Sequence, residues 1–381
     1  MCKLCKIESL LFCLLCFVSI FFYSHHMTDT YIVPKWCFTL LVLLVSIFVL
    51  SIKKLCNKTI RIDIVAYGCI IVLITFCQAL YGIGQWFQWI PSIRHYKIVG
   101  SFDNPAGFAS CLCIGFPFVA LCLKVAKGIL LKVFLYLLAS IIILAVILSE
   151  SRTGIMSIVV VVSIYYWHYV PLKRRTKTIV LTGVFFLFLG GSYFLKKDSA
   201  DGRLLIWKCS WEMIKDSPVY GHGINSFRTH YMDYQADYFE KHPADSYSIL
   251  ADNVQYPFCE YLRIIIDYGI ISILLLLGWL SYLLFCYFKY PSEMNETSLL
   301  CWIAVCTFSC FSYPLMYPFV WLMLIYSTYI LIRKHIKSII RRFPYICLKG
   351  VAVSCILFSI YAGYKAVSYT HLRAHETKAN L

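Results

Sequence analysis

Charge is scarce in this chain. Only 14% of its 381 residues are Asp, Glu, Lys or Arg, against about a quarter in a soluble globular domain. That shortage, joined to 60% hydrophobic residues and a mean hydropathy of +0.74, argues against a soluble domain. Acidic residues are scarcer still, 19 against 35 basic ones, leaving a formal charge of +16. In a soluble protein such an excess points to nucleic acid. Here the basic residues crowd short connections between apolar runs, as with Lys53, Lys54, Lys58 and Arg61, or Lys173, Arg174, Arg175 and Lys177. That is the distribution that sets orientation in a membrane. The charge therefore reports topology, and nucleic acid is not an expected partner.

Several chemistries lack their signatures. The cysteines number 19, but most lie within apolar runs, among them Cys13, Cys16, Cys69, Cys77, Cys111, Cys113 and Cys306. There they act as small buried hydrophobes rather than a disulfide framework. Cys2 and Cys5, like Cys13 and Cys16, have CxxC spacing, yet no second pair or histidine pair completes a metal site. No Ser/His/Asp order stands out. Gly221-His222-Gly223 has neither the preceding strand nor the longer glycine pattern of a phosphate-cradling loop, and reads as a tight turn. No metal and no cofactor is expected, and no internal repeat is evident.

What the chain has in abundance is apolar runs of about 20 residues, the length that crosses a ~30 Å hydrocarbon core. They fall at 10–23, 36–52, 63–81, 105–123, 129–148, 154–170, 178–195, 264–288, 298–312, 315–332 and 346–364. The expectation is an all-α integral membrane protein of about eleven transmembrane helices. It forms one polytopic domain over residues 1–366, with the N-terminus in the cytoplasm. The first run has no small-residue cleavage site after it and reads as a retained span. Residues 367–377, VSYTHLRAHET, look like a translated sequencing adapter. Residues 367–381 are therefore set aside, with the natural chain expected to continue past Ala366.

Three polar connections share the outward face: 82–104, 149–153 and the long segment 196–257. Within the last, Leu204, Trp207, Trp211 and Ile214 recur at helical spacing, predicting a helix that lies on the membrane surface or against the bundle. Residues 231–247 are expected to be partly irregular. Four cations stand at or near membrane depth on this face, Lys97, Arg152, Arg203 and Arg263, where charge is costly and is functional or paired. Arg152 has two open readings, a substrate contact or a local ion pair with Glu150. Guanidinium groups suit phosphate because they donate in pairs and keep their charge. Trp86, Trp89, Trp207, Trp211, Tyr231, Tyr234 and Tyr238 suit sugar rings, or an interfacial belt. The candidate bases are His222, His242, Asp252, Glu260 and Asp267, and Glu260 at the start of an outward-facing span is the best placed.

In this order the motifs resemble the O-antigen ligase and O-antigen polymerase superfamily of bacterial inner-membrane proteins. The resemblance rests on KIVGSFDNPAGFA at 97–109, SESRTG at 149–154, Gly202-Arg203 with Trp207 and then Asp216-Ser217-Pro218 and Gly221-x-Gly223, and FCEYLRIIIDYGIISILLLL at 258–277. It covers about residues 97–277. It implies a metal-independent glycosyltransferase outside the cytoplasmic membrane, moving a glycan from an undecaprenyl diphosphate carrier to a glycan or to a lipid A-core-like acceptor. Arg152 and Arg203 would then hold the diphosphate, with Glu260 as a third catalytic group. Lys97, Asn104, Trp207, His222 and Arg263 complete the expected binding set. The chain departs from the family pattern at Lys97, where arginine is common, and at Phe258-Cys259, where ligases carry His-Asn. The missing histidine argues against an ordinary lipid A ligase and favours a polymerase-like member, or a base supplied by Glu260 or Asp252. The rival reading, a lipid or polysaccharide transporter or flippase, needs charged or helix-breaking residues near the membrane midplane.

Overall fold

The computed structural model describes residues 7–340 apart from 28, 57–62, 94, 95, 169, 170, 172, 174, 180, 181, 184–189, 191–196 and 244. The expected span at 178–195 lies largely outside the described residues. The span at 346–364, the tail at 367–381 and the Cys2/Cys5 pair lie wholly outside them. Twelve α-helices are described: α1 Ile7–Phe21, α2 Ile32–Leu55, α3 Ile64–Trp86, α4 Pro105–Gly115, α5 Pro117–Val125, α6 Ile129–Leu148, α7 Arg152–Tyr165, α8 Lys197–Asp216, α9 Ser226–Lys241, α10 Glu260–Lys289, α11 Glu293–Ser309 and α12 Pro318–Ile340. Among the described residues there is no strand.

Among the described residues, six helical stretches are long and apolar enough to cross a membrane: α2, α3, the joined α4–α5, α6, α10 and α12. The chain is a multi-pass membrane protein. The expected number of about eleven is not reached among the described residues. Three of the expected spans are short, α1 with 15 residues, α7 with 14 and α11 with 17, which at 1.5 Å per residue fall short of a ~30 Å core, and those at 178–195 and 346–364 lie largely or wholly outside the described residues. Pro117 divides the 105–125 stretch after Phe116, because a proline has no N–H to continue the ladder.

Small residues put α4 at the centre. Gly107, Ala109, Ser110, Cys111, Cys113 and Gly115 are all buried, the composition that lets apolar helices approach closely. The main core packs α1, α3, α4, α5, α6, α7, α11 and α12 around it. α6 instead shows Ile129, Leu130 and Leu137 at its surface, as a helix that is apolar all round does when it faces lipid. All the described cysteines are free thiols.

A second, smaller core joins α8, α9 and the start of α10 through Leu205, Ile206, Cys209, Met213, Phe227, Tyr231 and Ile266. It refines two expectations. The anticipated stripe of α8 divides: Ile214 is buried in this core and Trp207 packs against it, whereas Leu204 and Trp211 are 39% and 56% exposed. Leu205, Cys209 and Met213, outside the stripe, supply most of the remaining packing. Residues 226–241 form the regular helix α9, so the irregular part expected within 231–247 is confined to the residues after Lys241. Asp267 of α10 starts α9 by accepting from the Ser226 N–H (3.2 Å) and hydroxyl (2.9 Å).

One end of the bundle gathers the α1–α2, α3–α4, α6–α7 and α11–α12 connections with the start of α10. Long-range bonds tie them. The Trp36 indole donates to the Met316 carbonyl at 2.7 Å. Lys35, fully buried, places its ammonium on the carbonyls of Phe22 (3.1 Å), Tyr31 (3.2 Å) and Ser101 (2.7 Å). The opposite end is held by ion pairs Lys53–Glu8 and Lys124–Glu296, each at 2.6 Å.

Candidate functional site

The α6–α7 turn shows how the sequence aims one arginine. Glu150 takes a left-handed conformation (φ 54°) that reverses the chain. The Ser151 hydroxyl then accepts from the Gly154 N–H at 3.3 Å and caps α7, the ordinary work of a serine at this position. A Cβ on Gly154 would stand 2.8 Å from that of Ala109, so the glycine lets α7 close on α4. Between cap and glycine, Arg152 is left half-buried at the helix start. Its Nη2 donates to the Ser199 hydroxyl at 3.0 Å, one turn before Arg203 on α8.

Arg203 comes to the same place from α8. Its Nη1 donates to the Phe311 carbonyl at 3.1 Å, and its Cζ lies 5.1 Å from the centre of the Phe258 ring. Among the described residues this carbonyl is its one hydrogen-bond partner, and no carboxylate pairs with it. Burial first, and the nearby Arg152 charge second, lower its pKa to about 10. It therefore remains a cation at neutral pH, held beside a second cation in a partly desolvated setting. Such an arrangement favours an anion able to accept from both guanidinium groups.

An aromatic and amide wall backs the arginines. Phe258, in a left-handed conformation (φ 51°), meets Tyr313 edge-on at 5.5 Å, and Tyr313 stacks on Tyr256 at 4.7 Å. The Asn104 Oδ1 caps α4 by accepting from the Gly107 N–H at 2.8 Å. Its Nδ2 lies 2.7 Å from Asp103 Oδ2 and 3.1 Å from the hydroxyls of both Tyr313 and Tyr317, so two hydrogens are shared among three acceptors. The buried Tyr317 hydroxyl donates to Asp103 Oδ1 at 2.8 Å. Burial pushes the Asp103 carboxyl up, against the pull of these two hydrogen bonds. Trp207 closes the wall: its indole donates to the Pro257 carbonyl at 2.9 Å, with its ring 6.2 Å from that of Phe311.

Glu260 and Arg263 stand one layer back. Glu260 is 1% exposed. Its Oε1 accepts from the Leu315 N–H at 2.8 Å, and its Oε2 makes a 2.8 Å charge contact with Arg263 Nη2. Arg263 Nη1 also reaches the Met316 sulfur at 3.3 Å. Both residues thereby brace the 311–317 connection that supplies Phe311 and Tyr313. Arg263 also lines a cavity of about 480 Å³ with Arg228, Tyr256, Asp29 and Asp267. Replacing Glu260 by alanine leaves Arg263 and the Leu315 N–H without their partner, so Glu260→Ala is expected to cost about 3–5 kcal/mol. Glu260→Gln, which keeps the bond to Leu315, is expected to cost less. Thermal melts of the detergent-purified variants check this, and an unchanged melting temperature for Glu260→Ala rules the brace out.

The remaining expected site residues are placed elsewhere. Lys97 is exposed, with its ammonium 5.0 Å from the Trp86 ring, and lines a separate cavity of about 560 Å³. His222 Nε2 is 2.6 Å from the Met213 carbonyl, its ring facing His230 and Tyr234. His242 lies at the end of α9, with Nδ1 2.9 Å from the Tyr238 carbonyl. The Asp252 carbonyl faces Gln235, and Asp267 caps α9. Thus Arg152, Arg203, Trp207 and Asn104 are gathered around one wall, braced by Glu260 and Arg263. Phe311, Tyr313, Tyr317 and Asp103 had not been singled out. The signal that marks them is the aromatic and proline run FSYPLMYP at 311–318, too polar at its tyrosines to be plain span.

The family model described as O-antigen ligase matches residues 137–277. That stretch contains Arg152, Arg203, Trp207, Phe258, Glu260 and Arg263, while Asn104 and the 311–317 connection lie outside it. A search of the curated proteins finds no match to the chain. The match over residues 137–277 is thus a similarity to the family that the four motifs, in order, also resemble.

Proposed function

We propose that the protein is a membrane glycosyltransferase that moves a glycan from an undecaprenyl diphosphate carrier to a glycan or lipid acceptor at the periplasmic face of the bacterial inner membrane. The convergence of Arg152 and Arg203 carries this reading. When the anomeric C–O bond of such a donor breaks, the diphosphate takes the bonding electrons. Two fixed guanidinium groups facing those oxygens favour the transition state over the ground state, because the charge they meet grows as the bond breaks. Asn104 orders the Tyr313 and Tyr317 hydroxyls beside them, and Trp207 offers an indole face next to the anomeric carbon's side of the site. Glu260 serves through the brace it forms with Arg263 and Leu315. A polymerase-like acceptor, another lipid-linked glycan, fits best with phenylalanine at position 258, where ligases carry histidine. In this reading the 1–366 domain is N-in, with 196–257 as its periplasmic segment.

Reconstitution tests the proposal directly. Purified protein in proteoliposomes, given an undecaprenyl diphosphate-linked oligosaccharide, is expected to release undecaprenyl diphosphate in step with the appearance of longer glycans. Donor that crosses the bilayer with no new glycosidic bond would instead establish the transport reading and end this one.

A further inference from the structure

We propose that the cleft between α8 and α9 is a glycan subsite adjoining the arginine site, and that it takes the oligosaccharide portion of the substrate. The proposal rests on the glycosyl-transfer reading above and extends it to a surface that reading does not use. The cleft has a volume of about 710 Å³, within the ~300–1,000 Å³ range of small-molecule sites. Its walls include Trp207, Lys208 and Trp211 from α8 and Tyr234 and Tyr238 from α9.

Three observations point to sugar. The first is continuity. Arg203, Trp207 and Trp211 follow one another at i, i+4 and i+8, so they stand in file along one side of α8. Trp207 belongs to both places: it lines the cleft, and its ring lies 6.2 Å from that of Phe311, whose carbonyl receives Arg203. A glycan attached to a diphosphate at Arg203 therefore meets Trp207 and then Trp211.

The second is the exposure of Trp211. It shows 56% of its surface, although Leu205, Cys209 and Met213 of the same helix are buried. An open indole face stacks on the C–H face of a pyranose ring and buries a large apolar area at small conformational cost.

The third is that the polar edges are already fixed. The Tyr234 hydroxyl donates to Asp216 Oδ2 at 2.6 Å, and the Tyr238 hydroxyl donates to Asp245 Oδ2 at 2.6 Å while accepting from Lys208 Nζ at 3.0 Å. Rings held this way offer flat faces, with carboxylates and an ammonium at their rims to meet sugar hydroxyls. The same composition argues against a lipid surface. Glu212, Asp216 and Asp237 lie among the aromatics together with Lys208 and Lys241, and burying so many charges of both signs against a lipid surface is costly.

The test uses the full chain in detergent. The probe is lipid-free oligosaccharide released by mild acid from the host's own surface polysaccharide, and saturation-transfer NMR reads its binding. Trp211→Ala is expected to weaken binding at least 10-fold. Trp279→Ala, at an indole 39% exposed on α10 outside the cleft, is expected to leave it unchanged. Arg203→Ala is expected to keep oligosaccharide binding while losing transfer. Affinity unchanged in Trp211→Ala, or no saturable binding by the wild type, overturns the subsite. So does quenching of Trp211 by brominated lipid in vesicles, which identifies a membrane-lying face. The two readings fail separately. Donor left intact with Trp211-dependent binding retained removes the transferase and leaves a glycan-binding cleft. Donor consumed with binding independent of Trp211 removes only the cleft.

Discussion

Arg203→Ala is expected to lower glycan transfer by about 10²–10³-fold, the loss seen when one fixed donor facing a developing oxyanion is removed. In cells this erases the ladder of longer glycans on a gel, with the amount of inserted protein measured alongside. The same substitution is not expected to unfold the protein. Arg203 has one carbonyl partner, its charge is partly desolvated, and the Arg152 charge acts against it. Removing it relieves that repulsion, so the melting temperature should hold or rise slightly while activity collapses. That opposite movement separates a binding role from a packing role. Arg203→Lys retains a charge but loses the planar pair of donors, and restores activity only in part. A normal ladder in Arg203→Ala removes Arg203 from the reaction.

Gly269→Ala is the second large expected effect, and its origin is mechanical. Gly269 breaks α10 with φ 72° and ψ −177°. A Cβ there would fall 1.9 Å from the Val219 carbonyl oxygen. The 217–223 turn is laid against this break and bonded to it. His222 N–H donates to Ile266 at 2.8 Å, Gly223 N–H to Asp267 at 3.0 Å, and Ile270 N–H to Pro218 at 2.9 Å. Gly221, at φ 71°, faces the same backbone, and its own Cβ would come within 2.6 Å of the Asp267 carbonyl carbon. An alanine at 269 must push the turn away. Backbone strain of ~1–3 kcal/mol and hydrogen bonds worth about 1 kcal/mol each make a cost of about 4 kcal/mol reasonable. The α8–α9 unit then loosens from α10 and carries Arg203 with it. Limited proteolysis within 197–257 should accelerate and transfer should fall. Gly278→Ala, nine residues on in the same helix with nothing within 4 Å of the added Cβ, is the matched control and should behave as wild type. Equal protease resistance in both variants defeats the argument.

How much of this was legible in the sequence depends on the range of the interaction. The spans were legible because each is a local run of apolar side chains, although length separates α1 and α7 from those that can cross. Arg152 and Arg203 were legible as cations at the ends of apolar segments, where charge is conspicuous. Their meeting was not. Arg203 reaches Phe311 and Asn104 reaches Tyr313 across more than a hundred positions, and no periodicity encodes such a contact. The stripe on α8 was half legible: Ile214 and Trp207 face the small core, while Leu205, Cys209 and Met213 beside them complete it. α9 went unread because its tyrosines, aspartates and histidine resemble loop composition, yet Phe227, Tyr231 and the Asp267 cap make it a helix. His222 looked like chemistry and is tied to the Met213 carbonyl, and Lys97 lies over Trp86 in a cavity of its own.

Lys35 has a consequence for the order in which this protein assembles. Its ammonium is satisfied by two carbonyls from the α1–α2 connection and by one from Ser101, delivered only after α3 has been made. Until residue 101 arrives, the first hairpin holds an incompletely solvated cation that keeps it at the water boundary. The first two helices therefore cannot settle to their final depth ahead of the third. A ribosome-bound chain halted before residue 101 should leave Lys35 open to amine-reactive reagent, and one released after α4 should not.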